Sequence, residues 1–278
     1  MPDAQADERQ YGKLYPVARA VLTPLFRTAW RIRVKGTEHL PDGPAILCPN
    51  HTSVIDSFLL PSTLPRRITF VGKAEYLDDW KTKHLFPALG MIPIDRSGGD
   101  ASKRALDAAA GVLDRGELFG IYPEGTRSRD GRLHRGHTGP ARLALRTGAP
   151  LVPVGLIGTR AIQPPGARAP RPFRPCEIRI GRPIDVRRYG DRADDRLVLR
   201  QLTDELMFEI RALTDQQYVD EYATRQPDSI PSQPTAIVSV TDNGSDTHAA
   251  GDGAEREPAV TGASAGSSVA RPSPGPTA

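Results

Sequence analysis

The sequence predicts an α/β domain with a mostly parallel, mixed central sheet flanked by helices. Three observations predict it. Short apolar runs at residues 45–48, 68–72, 118–122 and 151–158 have the length and composition of buried strands. They alternate with segments of helical spacing at 100–114, 138–146 and 194–214. Turn residues punctuate the junctions, as in Pro41-Asp42-Gly43-Pro44 and at Gly148, the expected C-cap of the helix before it. The sequence has no internal repeat.

The 278 residues, 38% hydrophobic and 25% charged, suit one globular domain with additional segments. The net charge of +4 fits an anionic substrate or an anionic lipid surface and does not require nucleic acid. Cys48 and Cys176 lie in strand-like runs and make no disulfide framework, so both are expected in the core. The first residues lack a secretory pattern, and no uncharged apolar run approaches the ~18 residues of a spanning helix. An intracellular protein that does not cross a bilayer is the expectation.

Taken in order, residues 1–10 are expected to be a flexible N-terminus. Residues 11–35 carry Lys13, Arg19, Arg27, Arg31, Arg33 and Lys35 and no acidic residue. Leu14, Val17, Val21, Leu22, Leu25 and Phe26 recur there at roughly helical spacing. Such a basic amphipathic helix either lies in a membrane interface or packs on its own domain with its cations in water. Pro24 is expected to kink or divide it. Residues 31–34 read as an edge strand, residues 76–89 as broken helix, 90–96 as a strand ending in charge, and 177–180 as the last strand. The folded domain is expected to span 36–225. From residue 226 onward Ser, Thr, Pro, Gly and Ala dominate, so 226–278 is expected to be a disordered tail. Gly262-Ala263-Ser264-Ala265-Gly266 matches the G-x-S-x-G pattern but lacks the flanking strand and helix that give the pattern meaning.

The chemistry is expected at Asn50-His51-Thr52-Ser53-Val54-Ile55-Asp56, where a strand hands over to a helix. Residues i and i+5 of a regular helix lie about 140° apart, so His51 and Asp56 meet only if His51 is in the turn and Asp56 in the first helical turn. A carboxylate on one ring N–H fixes the tautomer and leaves the other nitrogen to accept a proton. Ser53-x-x-Asp56 also fits a capping box, which leaves a purely structural role for Asp56 open. A second candidate is the loop Pro123-Glu124-Gly125-Thr126-Arg127-Ser128-Arg129-Asp130-Gly131, placed at the carboxyl end of a strand, where α/β sheets bind ligands. Its glycine allows close backbone approach, and its hydroxyl and guanidinium suit a phosphate. No compelling metal cluster stands out.

Four blocks in this order resemble the PlsC-type glycerolipid acyltransferase family. They are Asn50 to Asp56, Gly90-Met91-Ile92-Pro93-Ile94-Asp95-Arg96, Tyr122-Pro123-Glu124-Gly125-Thr126-Arg127-Ser128, and Pro150-Leu151-Val152-Pro153-Val154. The resemblance covers roughly residues 36–185. It implies an O-acyltransferase that moves a fatty acyl group from acyl-CoA or acyl carrier protein to the free hydroxyl of 1-acyl-glycerol-3-phosphate, giving phosphatidic acid. It implies His51 as general base, Asp56 as its support, and Arg96, Glu124, Gly125, Thr126 and Arg127 around the acceptor. It implies no cofactor and no metal. Its partners would be a membrane lipid surface, lysophosphatidic acid and acyl-CoA, with the protein peripheral on the cytoplasmic face. Another acceptor, such as glycerol-3-phosphate or a lysophospholipid, and a non-catalytic lipid-binding protein are the alternatives. Two positions depart from the pattern. Tyr122 stands where the family often has Phe. His137 stands where related bacterial sequences tend to carry Lys, so any charge there depends on pH.

Overall fold

A computed structural model describes residues 15–73, 91–94, 101–190 and 192–224. The elements run α1 (Tyr15–Ala29), β1 (Arg31–Lys35), β2 (Ala45–Pro49), α2 (Asp56–Thr63), β3 (Ile68–Lys73), β4 (Met91–Ile94), α3 (Ala101–Asp114), β5 (Leu118–Gly120) and β6 (Leu133–His134). They continue with α4 (Gly139–Thr147), β7 (Leu151–Ile157), α5 (Thr159–Ile162), β8 (Pro175–Ile180), α6 (Arg196–Thr214) and β9 (Tyr218–Val219). Seven strands form one sheet in the order β1-β8-β7-β2-β5-β3-β4, while β6 and β9 pair separately. Neighbours in the large sheet are parallel except β7 and β8, which are antiparallel. The sheet is therefore mixed and mostly parallel, as expected, with β1 on an edge.

The pleat divides the central strand between two cores. Ala45 and Leu47 of β2 face Phe26 of α1, Trp30 just after it, and Leu59 and Leu60 of α2. Ile46 and Cys48 face Val112, Leu143, Leu202 and Leu206 from α3, α4 and α6. Helices thus cover both faces, which is why β2 and β7 read as continuous apolar runs. Both cysteines are free and buried. The helix ends follow local chemistry. Gly148 takes φ 70° at the end of α4, and its N–H reaches the Ala144 carbonyl at 2.8 Å. Asp195 caps α6 by accepting from the Leu197 N–H at 2.9 Å and the Val198 N–H at 3.3 Å.

The N-terminal helix packs on its own domain through one face and leaves a second apolar row exposed. Leu22, Phe26, Ala29 and Trp30 pack into the core, and Thr23 Oγ1 donates to the Ser62 carbonyl of α2 at 2.5 Å. Val17, Val21 and Leu25, spaced i, i+4, i+8, are 62%, 61% and 55% exposed. Pro24 does not divide α1. Its missing N–H falls on the exposed side, where water can satisfy the carbonyl four residues back. Among the described residues no helix is long and apolar enough to cross a membrane. The expected helix at 76–89, the charged end of the strand at 90–96, and the flexible 1–10 and tail 226–278 fall outside the described residues.

Candidate active site

Strands β2 and β5 are parallel neighbours, so the chain leaves both at the same end of the sheet. The turn after β2 carries His51, and the loop after β5 carries residues 123–131. Those two loops are joined through the backbone of His51. Its N–H donates to Glu124 Oε2 at 3.1 Å, and its carbonyl accepts from the Ser128 N–H at 2.7 Å. The histidine is thus bracketed by the two ends of the Glu124 to Ser128 stretch.

His51 lies in the turn and Asp56 is the first residue of α2, the one arrangement in which i and i+5 can meet. Nδ1 of His51 lies 2.9 Å from Asp56 Oδ2. That oxygen also accepts from the Thr52 N–H at 2.9 Å and the Ser53 N–H at 2.8 Å. Asp56 therefore holds the Thr52 and Ser53 N–H groups and the imidazole with one atom. It stands at the first helical position after Ile55 and not at the third that a capping box requires. Ser53 does not complete the box, because its hydroxyl donates to the Gln163 carbonyl at 2.9 Å. With Asp56 fully buried and Nδ1 donating to it, Nε2 is the basic nitrogen left, on a side chain 13% exposed. Nε2 has no partner among the described residues.

Tyr122 supports the ring from one face. The two rings stack at 3.9 Å with a 16° interplanar angle, and Phe70 stacks on Tyr122 at 5.5 Å. The Tyr122 and Ser57 hydroxyls lie 3.4 Å apart. Burial, and secondarily the charge of Asp56, pushes the phenol above its ordinary pKa, so it is a neutral platform. The sequence marked Tyr122 only as a departure from Phe, and nothing in the sequence showed what it touches.

Glu124 is 1% exposed, and its second oxygen, Oε1, accepts from the His134 N–H at 3.0 Å. Burial pushes its pKa up to about 7, against the pull of the two backbone N–H groups. The folded value lies above the ordinary 4.5, so folding takes up a proton between the two values. The cost of ionising this buried group is absent below about 4.5, grows as pH rises, and is complete above about 7. Stability is expected to fall by up to roughly 3 kcal/mol across that window from this group alone. Denaturant unfolding at pH 5 and pH 8 checks it. Glu124→Gln should flatten the slope, and an equal slope in both proteins would contradict this.

Gly125 takes φ 70°, which favours glycine, and a Cβ there would crowd His137 Cδ2 at 3.0 Å. Thr126 and Arg127 are half-buried in the same loop. Arg96 lies outside the described residues. His134, for which the sequence offered no partner, has Asp130 Oδ1 3.1 Å from its Nε2. Asp130 also binds Arg132 and Ser128 and is held well below the usual carboxylate range by these bonds, despite some burial. Among the described residues no group of three or more His, Cys, Asp or Glu could hold a metal ion.

A mixed α/β sheet presents a carboxylate-steered histidine beside a glycine-hydroxyl-guanidinium loop, an arrangement able to take a proton from a substrate hydroxyl. Residues 31–157 match the family model described as Acyltransferase. That stretch of the chain is therefore similar to this acyltransferase family. The chain is 30% identical over 167 residues to the chloroplastic 1-acyl-sn-glycerol-3-phosphate acyltransferase LPAT1 of Arabidopsis thaliana, covering 59% of this chain and 46% of that one. It is 34% identical over 166 residues to the 1-acyl-sn-glycerol-3-phosphate acyltransferase of Limnanthes douglasii, covering 59% and 58%. The chain spans about half the length of these curated relatives. Its fold is similar to the crystal structure of the 1-acyl-sn-glycerophosphate (LPA) acyltransferase PlsC from Thermotoga maritima. The TM-score is 0.57 and the identity 24%, over 77% of this chain and 82% of that one.

Proposed function

We propose that the protein transfers a fatty acyl group from acyl-CoA or acyl carrier protein to the free hydroxyl of 1-acyl-glycerol-3-phosphate, giving phosphatidic acid. The observation that carries this reading is the 2.9 Å contact between His51 and the buried Asp56, in the turn that the Glu124 to Ser128 loop brackets. His51 Nε2 takes the hydroxyl proton as the oxygen attacks the thioester carbonyl, and Asp56 stabilises the imidazolium. The tetrahedral intermediate collapses by breaking the C–S bond, and the imidazolium returns its proton to the leaving sulfur. No acyl-enzyme forms.

Backbone N–H groups at the start of α2 would stabilise the oxyanion. Thr52 and Ser53 have committed theirs to Asp56, whereas Val54 and Ile55 have no acceptor among the described residues. Arg127 and Arg96 would grip the acceptor phosphate, Gly125 and Thr126 would approach it by backbone and hydroxyl, and Glu124 would act by holding His51 in register. The acyl donor is a co-substrate and no cofactor is needed.

The exposed row Val17, Val21 and Leu25 supports docking on a lipid surface as a peripheral protein. Arg27, Arg31 and Arg33 are exposed nearby, and α1 contains no acidic residue. The acceptor assignment is tested by offering labelled acyl-CoA to 1-acyl-glycerol-3-phosphate, glycerol-3-phosphate and lysophospholipids and scoring the product lipids. Phosphatidic acid is the expected main product. Label appearing only in another lipid would change the acceptor, and no transfer to any of them would leave a lipid-binding protein.

A further inference from the structure

The segment that follows α6 reaches back to the His51 turn, beyond the residues that match the family model. Asp215 adopts φ 56° at the end of α6, one of two non-glycine residues with positive φ among those described. Asp and Asn tolerate this left-handed conformation better than most residues, and it turns the chain sharply. Arg179 of β8 braces the corner by donating to the Leu213 carbonyl at 2.8 Å. The next residue, Gln216, is half-buried and bridges two loops. Its Oε1 accepts from Asn50 Nδ2 at 2.8 Å, and its Nε2 donates to the Gly131 carbonyl at 2.8 Å.

Asn50 is 1% exposed and directly precedes His51. It also exchanges two bonds with Leu156 of β7, accepting from its N–H at 2.7 Å and donating to its carbonyl at 3.1 Å. Gly131 closes the loop that carries Glu124 to Arg127. Gln216 therefore joins the residue before the histidine to the far end of the acceptor loop. A second route runs in parallel. The Gln217 carbonyl accepts from the Leu133 N–H at 2.9 Å, and β9 pairs with β6 in register Leu133↔Tyr218 and His134↔Val219. His134 N–H then holds Glu124, which holds the His51 N–H. At the end of the segment Tyr222 stacks on His137 at 4.6 Å, and His137 is the side chain a Cβ at Gly125 would meet.

We propose that residues 215–222 form a strap of the active-site scaffold, with Gln216 as a positioning residue that sets His51 against the loop of Gly125 to Arg127. The inference rests on the reading of His51 as the base. A glutamine bridging two loops exerts leverage because small displacements of a base cost large factors in rate.

The test is steady-state transfer from acyl-CoA to 1-acyl-glycerol-3-phosphate by the full chain, with Tm and the His51 ring resonances recorded for each variant. Gln216→Ala is expected to lower kcat roughly 10- to 100-fold, to leave KM for acyl-CoA near wild type, and to move the His51 resonances. In a His51→Ala background the same substitution should change the residual rate less than about twofold, since it acts through that ring. Gln216→Glu keeps the acceptor for Asn50 and loses the donor to Gly131, so it should fall between the two and serves if Gln216→Ala folds poorly. A kcat within about twofold of wild type, unmoved His51 resonances, or an equal loss in both backgrounds would overturn the proposal. A wild-type chain with no transfer activity would instead sink the functional reading, and the ring resonances would still decide whether Gln216 positions His51.

Discussion

Replacing His51 by Ala is expected to lower acyl transfer by roughly 10²- to 10⁴-fold, the range that a positioned general base contributes. The fold should survive. The bonds that tie this turn to the Glu124 loop use the His51 N–H and carbonyl, which any residue supplies. The side chain's own contributions are the Asp56 bond and the stack on Tyr122. Losing them leaves Asp56 two backbone donors, so the buried carboxylate stays satisfied on Oδ2. Activity and stability should therefore separate. Transfer rates, Tm and lipid binding measured on the same preparation check this, and an unchanged rate would remove His51 from the mechanism.

Replacing Asp56 by Asn is expected to lower kcat by a similar factor, with KM nearly unchanged. Three donors converge on Oδ2, and an amide oxygen in that place can still accept from all of them. The charge that stabilises the imidazolium is lost. Oδ1 has no partner among the described residues, so an amide NH2 there becomes a buried donor without an acceptor and costs about 1–3 kcal/mol. Asp56→Ala differs, because it strands the Thr52 and Ser53 N–H groups as well as the ring. It should lower stability by roughly 2–5 kcal/mol, against the smaller loss in Asn. Denaturant unfolding of both variants beside their kinetics separates the electrostatic role from the structural one. A wild-type kcat in Asp56→Asn would leave Asp56 only the role of holding the Thr52 and Ser53 N–H groups.

Much of this was legible in the chain because its causes are local. The alternation of apolar strands and amphipathic helices appears in the sheet and its two helical layers, with boundaries shifted by one or two residues. Gly148 ends its helix as its type demands. The turn placement of His51 and the helical placement of Asp56 followed from helix geometry, since no other arrangement lets the pair meet.

Other features have causes distant in sequence. Glu124 reads as a loop carboxylate beside a ligand, yet burial and two backbone donors from elsewhere in the chain give it an internal role and a raised pKa. The antiparallel pairing of β8 with β7 depends on how the 163–175 loop returns, which strand composition does not reveal. Gln216 belongs to no motif, and its proposed role comes from an amide that reaches both Asn50 and Gly131.

By itself the amino-acid order determined the kind of fold, the family resemblance, and the pair of side chains that face each other across one turn. Periodicity and spacing act over a few residues, so they survive in one dimension. The tertiary structure alone decided which face of α1 is left apolar to solvent, that Tyr122 floors the imidazole, and that the chain beyond α6 returns to brace it. Those outcomes depend on packing between segments far apart along the chain, where burial and hydrogen-bond geometry choose the partner.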